Sequence, residues 1–502
     1  MAVTVRAFPD PVALVLAERT PEALLRALGR AARVARVVEL RLDYLGGVAQ
    51  IARFLEKLAR QRRRTTLIAT CRRRSEGGEF AGGPSAELAV LRLAARAGCR
   101  WVDVEGSTLE RFPARLRAAL RPPAGLIVSL HDFRGTPARL ERTYLRLARL
   151  GADKVKIAVT PRRQRDNLAV LELARRRRRR VIALSMGTVG IPGRVLALRA
   201  GSALAYAAPD GQPAVAPGQI AWSEFRGSYR AHRLNARTRV YGVIGRPIAH
   251  SLSPAMHNAA FRAARLNAVY LPFEVERLDD FLECVGPLGL AGFSVTLPHK
   301  ETIVRHLDGI DPLAEQIGAV NTVVVRGGGR LYGYNTDYVG ILRALQGAIR
   351  LHASRVLLVG AGGAARAVAF ALATAGAFVC VTARRPGAAR ALARAVSGEA
   401  VPRAALRRRQ FDAIVNCTPV GQSPNAGESP LRAEELNCRA VVDLVYHPRH
   451  TRLLRLARRR GCRVVPGFEM LVEQGAAQYE IWTGLRAPVA AMRRAVLSRL
   501  PS

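Results

Sequence analysis

The stretch GADKVKIAVTPRRQRDNLAVLELARRRRRRVIALSMG, residues 151–187, holds one unit of the rhythm that decides the fold of the first half of this chain. An apolar strand, KVKIAV (154–159), is followed by an Ala/Leu/Arg helix and a second strand, VIALS (181–185). Working outward, the unit recurs about every 27 residues. VALVLA (12–17), VVELRL (37–42), TLIAT (66–70), WVDVE (101–105) and LIVSL (126–130) precede it, and ALAYA (203–207) follows. Eight such units predict an α/β fold that closes as a (β/α)8 TIM barrel over residues 1–225. In that architecture the chemistry gathers where strands end. Those ends carry Glu39, Arg41 and Asp43, then Arg72 and Glu76, His131 and Asp132, Met186, and Gln219. Strand alternation sends Lys154 and Lys156 to one side, toward the same mouth.

Lysine is nearly absent elsewhere. Of 79 basic residues four are Lys (57, 154, 156 and 300), so 79 − 4 = 75 are Arg. A guanidinium stays protonated, whereas a desolvated lysine amine near other cations can attack a carbonyl. Lys57 reads as the solvated face of a helix; Lys156 and Lys300 lie where amine chemistry is possible. A net charge of +41 invites a nucleic-acid reading, which stands as the alternative of another class. Against it, Arg is spread along the whole chain without aromatic interleaving, and the run 175–180 sits at a helix C-terminus, where cations are favoured. The expectation is therefore no nucleic-acid partner. Apolar runs are strand-sized, so no membrane span is expected. Seven scattered cysteines and an opening without a basic-then-apolar leader suggest a cytoplasmic protein. No metal-ligand spacing is seen, and oligomeric state is not legible.

After FRGSYRAHRLNART (225–238) the rhythm changes, and residues 226–238 are expected to form a linker. A second α/β region follows over 239–340. RVLLVGAGGAARAVAFALA (355–373) is then a strand, glycine turn and helix, the context of a dinucleotide site, expected within a domain spanning 341–466. Gly360, Gly362 and Gly363 would let the backbone approach a pyrophosphate. The next strand ends in Arg384 and Arg385, which suit the 2′-phosphate of NADP better than the ribose of NAD. Lys300 in SVTLPHK falls in a turn at a strand end and Asp337 in YNTD at the start of the next helix; if they share one cleft, they would make a proton-relay pair for carbonyl reduction, which spacing alone does not establish.

ELRLD (39–43), CRRRSEGGE (71–79), SLHDF (129–133), KIAV (156–159), SMG (185–187) and APGQ (216–219) resemble type I 3-dehydroquinate dehydratase in order and spacing. The resemblance implies a Schiff base from Lys156 to the substrate ketone, His131 as proton acceptor and donor, and Glu76 supporting the histidine. It also implies substrate contacts at Glu39, Arg41, Arg72, Arg194 and Gln219. Gly193 and Val215 stand where the family often has serine.

VIGRPIAHSLSPAMHNAAF (243–261), SVTLPHK (294–300), GAVNT (318–322), GYNTD (333–337), GAGGAARA (360–367), VNCTPVG (415–421) and GFEMLVEQGAAQYEIWTG (467–484) are similar to shikimate dehydrogenase. This second resemblance implies a substrate domain, a Rossmann NADP domain, and a C-terminal helical segment, 467–502, that returns to the former. Shikimate contacts are implied at Ser251, Ser253, Thr296, Asn321, Asp337, Tyr446 and Gln474, with Lys300 as acid and base. NADP would lie on Gly360, Ala361, Gly362, Gly363, Ala364 and Ala365, reach Arg384 and Arg385, and pass Leu444 and Gly467. Ser294 replaces the usual Asn, and Ala383 and Arg385 flank Arg384 where the family has N-R-T. The two activities would be consecutive: 3-dehydroquinate to 3-dehydroshikimate, then to shikimate. Quinate or shikimate oxidation with NAD is the nearer alternative.

Overall fold

The computed structural model describes residues 7–112 and 124–500. By internal contacts the chain divides into two compact units, Met1–Thr238 with Leu271–Leu288, and Arg239–Tyr270 with Gly289–Ser502.

In the first unit the strands are β1 (Val12–Leu16), β2 (Val37–Arg41), β3 (Thr66–Thr70), β4 (Trp101–Glu105), β5 (Gly125–Asp132), β6 (Lys154–Val159), β7 (Val181–Ser185), β8 (Ala205–Ala208) and a short β9 (Ile220–Ala221). They form one parallel sheet in the order β7-β6-β5-β4-β3-β2-β1-β8-β9. At the seam, Ala203 N–H donates to Val181 O at 2.8 Å. The eighth strand therefore ladders on β1 two residues later than the sequence rhythm predicts, Val12 facing Ala205. Alternation divides the side chains. One set packs outward with the helices, among them Leu40, Val102, Val104, Val128 and Ile157. The other lines the lumen, where Ala13, Val37, Ile68, Trp101, Ile127 and Ile182 form an apolar floor. Above that floor the inward positions turn charged, and there the site lies.

Residues 226–238 are not a free linker: Phe225 and Ala231 are fully buried, and Arg226 clamps Asp10 at 2.8 and 2.7 Å. Helix Leu278–Leu288 also packs on helix Gln164–Arg176, so by internal contacts residues 271–288 fall in the first compact unit.

The second half of the chain builds two sheets. β10 (Arg239–Gly245), β11 (Ala268–Glu274), β12 (Leu290–Val295), β13 (Gly309–Ile310), β14 (Thr322–Val325) and β15 (Leu331–Tyr334) give a mixed sheet in the order β11-β10-β12-β14-β15-β13. β16 (Arg355–Val359), β17 (Phe378–Thr382), β18 (Glu399–Ala400), β19 (Phe411–Asn416), β20 (Cys438–Asp443) and β21 (Arg463–Val465) give a parallel sheet in the order β18-β17-β16-β19-β20-β21. Counted from its first strand this is 3-2-1-4-5-6, the doubly wound order whose switch point lies beside β16. Helices Asp337–Gln346 and Gly467–Thr483 cross closely, and a Cβ on Gly340 would sit 2.8 Å from Gln474 Cβ. Among the described residues no helix is long and apolar enough to cross a membrane.

Candidate active sites

A cavity of about 540 Å³ opens at the barrel mouth, lined by Glu39, Arg41, Arg72, His131, Lys156, Arg194 and Gln219 together with Gly77, Phe133, Met186 and Tyr206. They come from β2, β5, β6 and β8, from the loops after β3, β5, β7 and β8, and from helix Ile191–Ala200, which is why a closed parallel barrel can collect them. Lys156 Nζ is 2.7 Å from Asp103 Oδ2 and 3.4 Å from Glu39 Oε1, and it lies over the Tyr206 ring at 4.3 Å. Burial alone would raise the Asp103 carboxyl, but Lys156 and then Arg72 hold it well below the usual carboxylate range. Lys154 shares the lumen side yet does not join this group. Its ammonium donates to Arg179 O at 2.6 Å, and burial lowers it to about 8.

Arg41 is held by both oxygens of Asp43 at 2.9 and 2.7 Å, while Arg194 keeps only the carbonyl of Pro217, at 3.1 Å. Arg194 is fully buried with Nε unpartnered, and desolvation lowers it to about 10. Gly193 now has a local reason. A Cβ there would lie 2.3 Å from Asn167 Oδ1 and 2.4 Å from Ser185 Oγ, so a serine at this position would require those two side chains to shift. Val215 N–H donates to Gln219 Oε1 at 3.1 Å and orients the amide.

Glu76 requires a correction. Its carboxylate accepts from Ser107 Oγ at 2.6 Å and pairs with Arg73 at 3.1 Å; it does not meet His131. The carboxylate that does is Glu105, 2.6 Å from His131 Nδ1. The signal was available: in WVDVE two carboxylates interrupt an apolar strand at period two, so Asp103 and Glu105 share the lumen face.

The second cavity, about 1410 Å³, lies in the other unit and is lined by Ser251, Ser253, Thr296, Lys300, Asn321, Asp337, Tyr446 and Gln474, with Ala364, Leu444 and Gly467. Lys300 Nζ donates to Asp337 Oδ2 at 2.7 Å, and Asn321 Nδ2 to Asp337 Oδ1 at 2.9 Å. Asn321 is itself fixed through Oδ1 by Thr336 N–H and the Thr322 hydroxyl, both at 2.7 Å. Asp337 is thus aimed at the lysine from the start of its helix. Ser294, in place of the family Asn, accepts from Tyr270 OH at 2.6 Å and donates to Gln478 at 2.9 Å, which ties it into the cleft wall.

The glycine turn fits a dinucleotide. Gly360 has φ +114°, and a Cβ there would press on Thr418 at 2.9 Å; a Cβ on Gly467 would meet three carbonyl oxygens at 2.7 Å. Helix Gly363–Thr374 points its N-terminal N–H groups toward the end of β16, the usual cradle of a pyrophosphate. Arg384 and Arg385 follow β17 and are exposed. Among the described residues no group of three or more His, Cys, Asp or Glu could hold a metal ion.

Residues 12–236 match the family model of type I 3-dehydroquinase. Residues 243–323 match the shikimate dehydrogenase substrate binding domain, and 467–497 the shikimate 5′-dehydrogenase C-terminal domain. The chain is 35% identical over 475 residues to the bifunctional 3-dehydroquinate dehydratase/shikimate dehydrogenase, chloroplastic, of Arabidopsis thaliana, covering 90% of this chain and 78% of that protein. It is 46% identical over 277 residues to the shikimate dehydrogenase (NADP(+)) of Moorella thermoacetica, covering 52% of this chain and 94% of the relative. A crystal structure of shikimate dehydrogenase in complex with NADP+ aligns with TM-score 0.50 at 38% identity, over 53% of this chain and 98% of its own.

Proposed function

We propose, for a chain that belongs to the bifunctional 3-dehydroquinate dehydratase/shikimate dehydrogenase family, that the barrel mouth and the second cleft are its two active sites. The protein is a lyase that dehydrates 3-dehydroquinate and an NADP-dependent oxidoreductase that reduces 3-dehydroshikimate to shikimate. The observation that carries the assignment of residues is convergence: Lys156 and His131 share one cavity, and Lys300 and Asp337 the other.

In the barrel, the Lys156 amine attacks the substrate ketone and one water leaves, giving an imine. The electron-withdrawing C=N⁺ acidifies the neighbouring C–H, and His131 Nε2 removes that proton. The electron pair then expels the β-hydroxyl, which departs as water with the proton returned by His131. Hydrolysis frees the enone and Lys156, so the sum is loss of one water. Arg194 takes the substrate carboxylate, while Arg41, Glu39 and Gln219 hold the hydroxyl edge.

In the cleft, Ser251, Ser253, Tyr446 and Gln474 hold the carboxylate end of the substrate, and Thr296, Asn321 and Asp337 its hydroxyls. Lys300 delivers a proton to the carbonyl oxygen as negative charge develops there, and Asp337 keeps the ammonium aimed. Residues 360–365, with Arg384 and Arg385 at the 2′-phosphate, would hold NADPH, which would supply the hydride. Seven free thiols fit a reducing, cytoplasmic setting.

Addition of 3-dehydroquinate and NADPH to the purified chain should consume the nicotinamide absorbance without any added enzyme. A chain that turns over 3-dehydroshikimate but not 3-dehydroquinate would sink the dehydratase half. Replacing Arg384 and Arg385 together by Ala should raise KM for NADPH roughly 10- to 100-fold, the loss of one or two charge-assisted contacts, and leave NADH almost unaffected. Equal loss with both cofactors would instead favour the NAD alternative.

A further inference from the structure

Both ring nitrogens of His131 are engaged. Arg72 Nη1 lies 2.6 Å from Nε2, and because a guanidinium only donates, Nε2 must accept. The single ring proton then stands on Nδ1 and is donated to Glu105 Oε1 at 2.6 Å. Arg72 also reaches Asp103 at 3.3 Å and Glu105 at 3.0 Å, so one guanidinium from the end of β3 braces both carboxylates of β4. The charged groups facing the imidazole are Arg72, Lys156, Asp103, Arg41 and Glu105. Burial first, then Arg72 and Lys156, hold the ring well below its usual range, which makes it a neutral base. Burial also pushes Glu105 up to about 7, against the pull of Arg72.

We propose that Glu105 is the positioning residue of the dehydratase base, fixing His131 as the Nδ1–H tautomer, and that Arg72 caps Nε2 until substrate displaces it. The proposal rests on His131 being the base. When Nε2 takes the substrate proton, the ring carries two N–H donors, and Arg72 Nη1 would face a donor with a donor. Its N–H turns to an oxygen of the bound substrate instead. The Nδ1 proton stays on the ring, shared with Glu105, whose carboxylate meets the imidazolium. The Nε2 proton alone shuttles, first from carbon and then to the departing hydroxyl. Glu76, tied to Arg73 and Ser107, takes no part in this exchange.

Glu105→Gln keeps the shape and a hydrogen bond but removes the charge. Its kcat for dehydration should fall roughly 10²- to 10³-fold, whereas Glu76→Gln should lose no more than about tenfold. The acid limb of kcat/KM, which belongs to the His131–Glu105 pair, should move to lower pH because the base loses a negative neighbour. Glu105→Asp should recover part of the rate. Borohydride with 3-dehydroquinate should still label Lys156 in Glu105→Gln, because Asp103 holds that amine. Near-wild-type kcat with an unmoved acid limb, a larger loss in Glu76→Gln than in Glu105→Gln, or lost labelling would each overturn the proposal. An active His131→Ala variant would instead overturn the base assignment beneath it.

Discussion

Lys156→Ala is expected to remove dehydration of 3-dehydroquinate by on the order of 10⁴- to 10⁶-fold in kcat, the scale of losing a covalent nucleophile, while reduction of 3-dehydroshikimate proceeds. Neither the Ala variant nor wild type without substrate should take up borohydride label at this position; wild type with substrate should. The substitution also uncovers a buried charge. Asp103 is fully buried and Lys156 is 5% exposed by side chain, so removing the ammonium leaves a carboxylate without its nearest cation. Breaking such a pair costs about 3–5 kcal/mol. The sign with pH follows from the shift. Asp103 is held low in the folded protein, so its stabilisation is present above the unfolded value near 4 and is lost as pH falls through the folded one. The deficit of Lys156→Ala should therefore be full at pH 7 and shrink on acidification. Lys156→Arg separates the two effects, because it keeps a cation for Asp103 but cannot form an imine. A folded Lys156→Arg protein that still dehydrates substrate would end the Schiff-base assignment.

The mirror experiment is Lys300→Ala. Reduction of 3-dehydroshikimate should fall roughly 10³- to 10⁴-fold in kcat, the upper range for loss of a general acid, with KM for NADPH little changed and dehydration retained. Asp337→Asn should fall as well, because the amide cannot hold the ammonium as a carboxylate does. Unlike the barrel pair, this one is partly open, with Lys300 31% and Asp337 17% exposed by side chain. Its loss should cost about 1 kcal/mol or less, so thermal denaturation separates the two lysines as clearly as their activities do. Wild-type reduction by Lys300→Ala would remove the proton-donor role.

Much of this architecture is legible from alternation alone. A parallel barrel strand is apolar on both faces except where it lines the site, so a polar residue inside one is conspicuous, and Lys156 in KVKIAV could be found that way. The glycine turn at 360–363 is equally local, because strand, turn and helix are contiguous. Partners across the barrel are another matter. Glu76 was expected to support His131 on the family resemblance alone, with nothing in the local pattern to place it there. The turn after it, with Gly77 at φ +77°, leaves its carboxylate on Arg73 and Ser107 instead. Glu105 is 26 residues from His131 and reaches it because β4 and β5 lie side by side, with Glu105 facing Ser129 in register.

Long-range contacts near the domain edges are hidden for the same reason. Residues 226–238 look like a linker by composition, yet Arg226 finds Asp10, which lies 216 positions earlier. Helix Leu278–Leu288 packs on helix Gln164–Arg176, a contact that no local pattern announces. By itself the sequence determined which residue types can do chemistry here and the order of the elements carrying them, because Arg cannot replace an amine and periodicity is a property of the chain. Only the tertiary structure decided which carboxylate serves which base and where each unit stops. Those depend on strand register and on helix faces meeting across long stretches of chain, and contacts of that kind leave no local periodic trace.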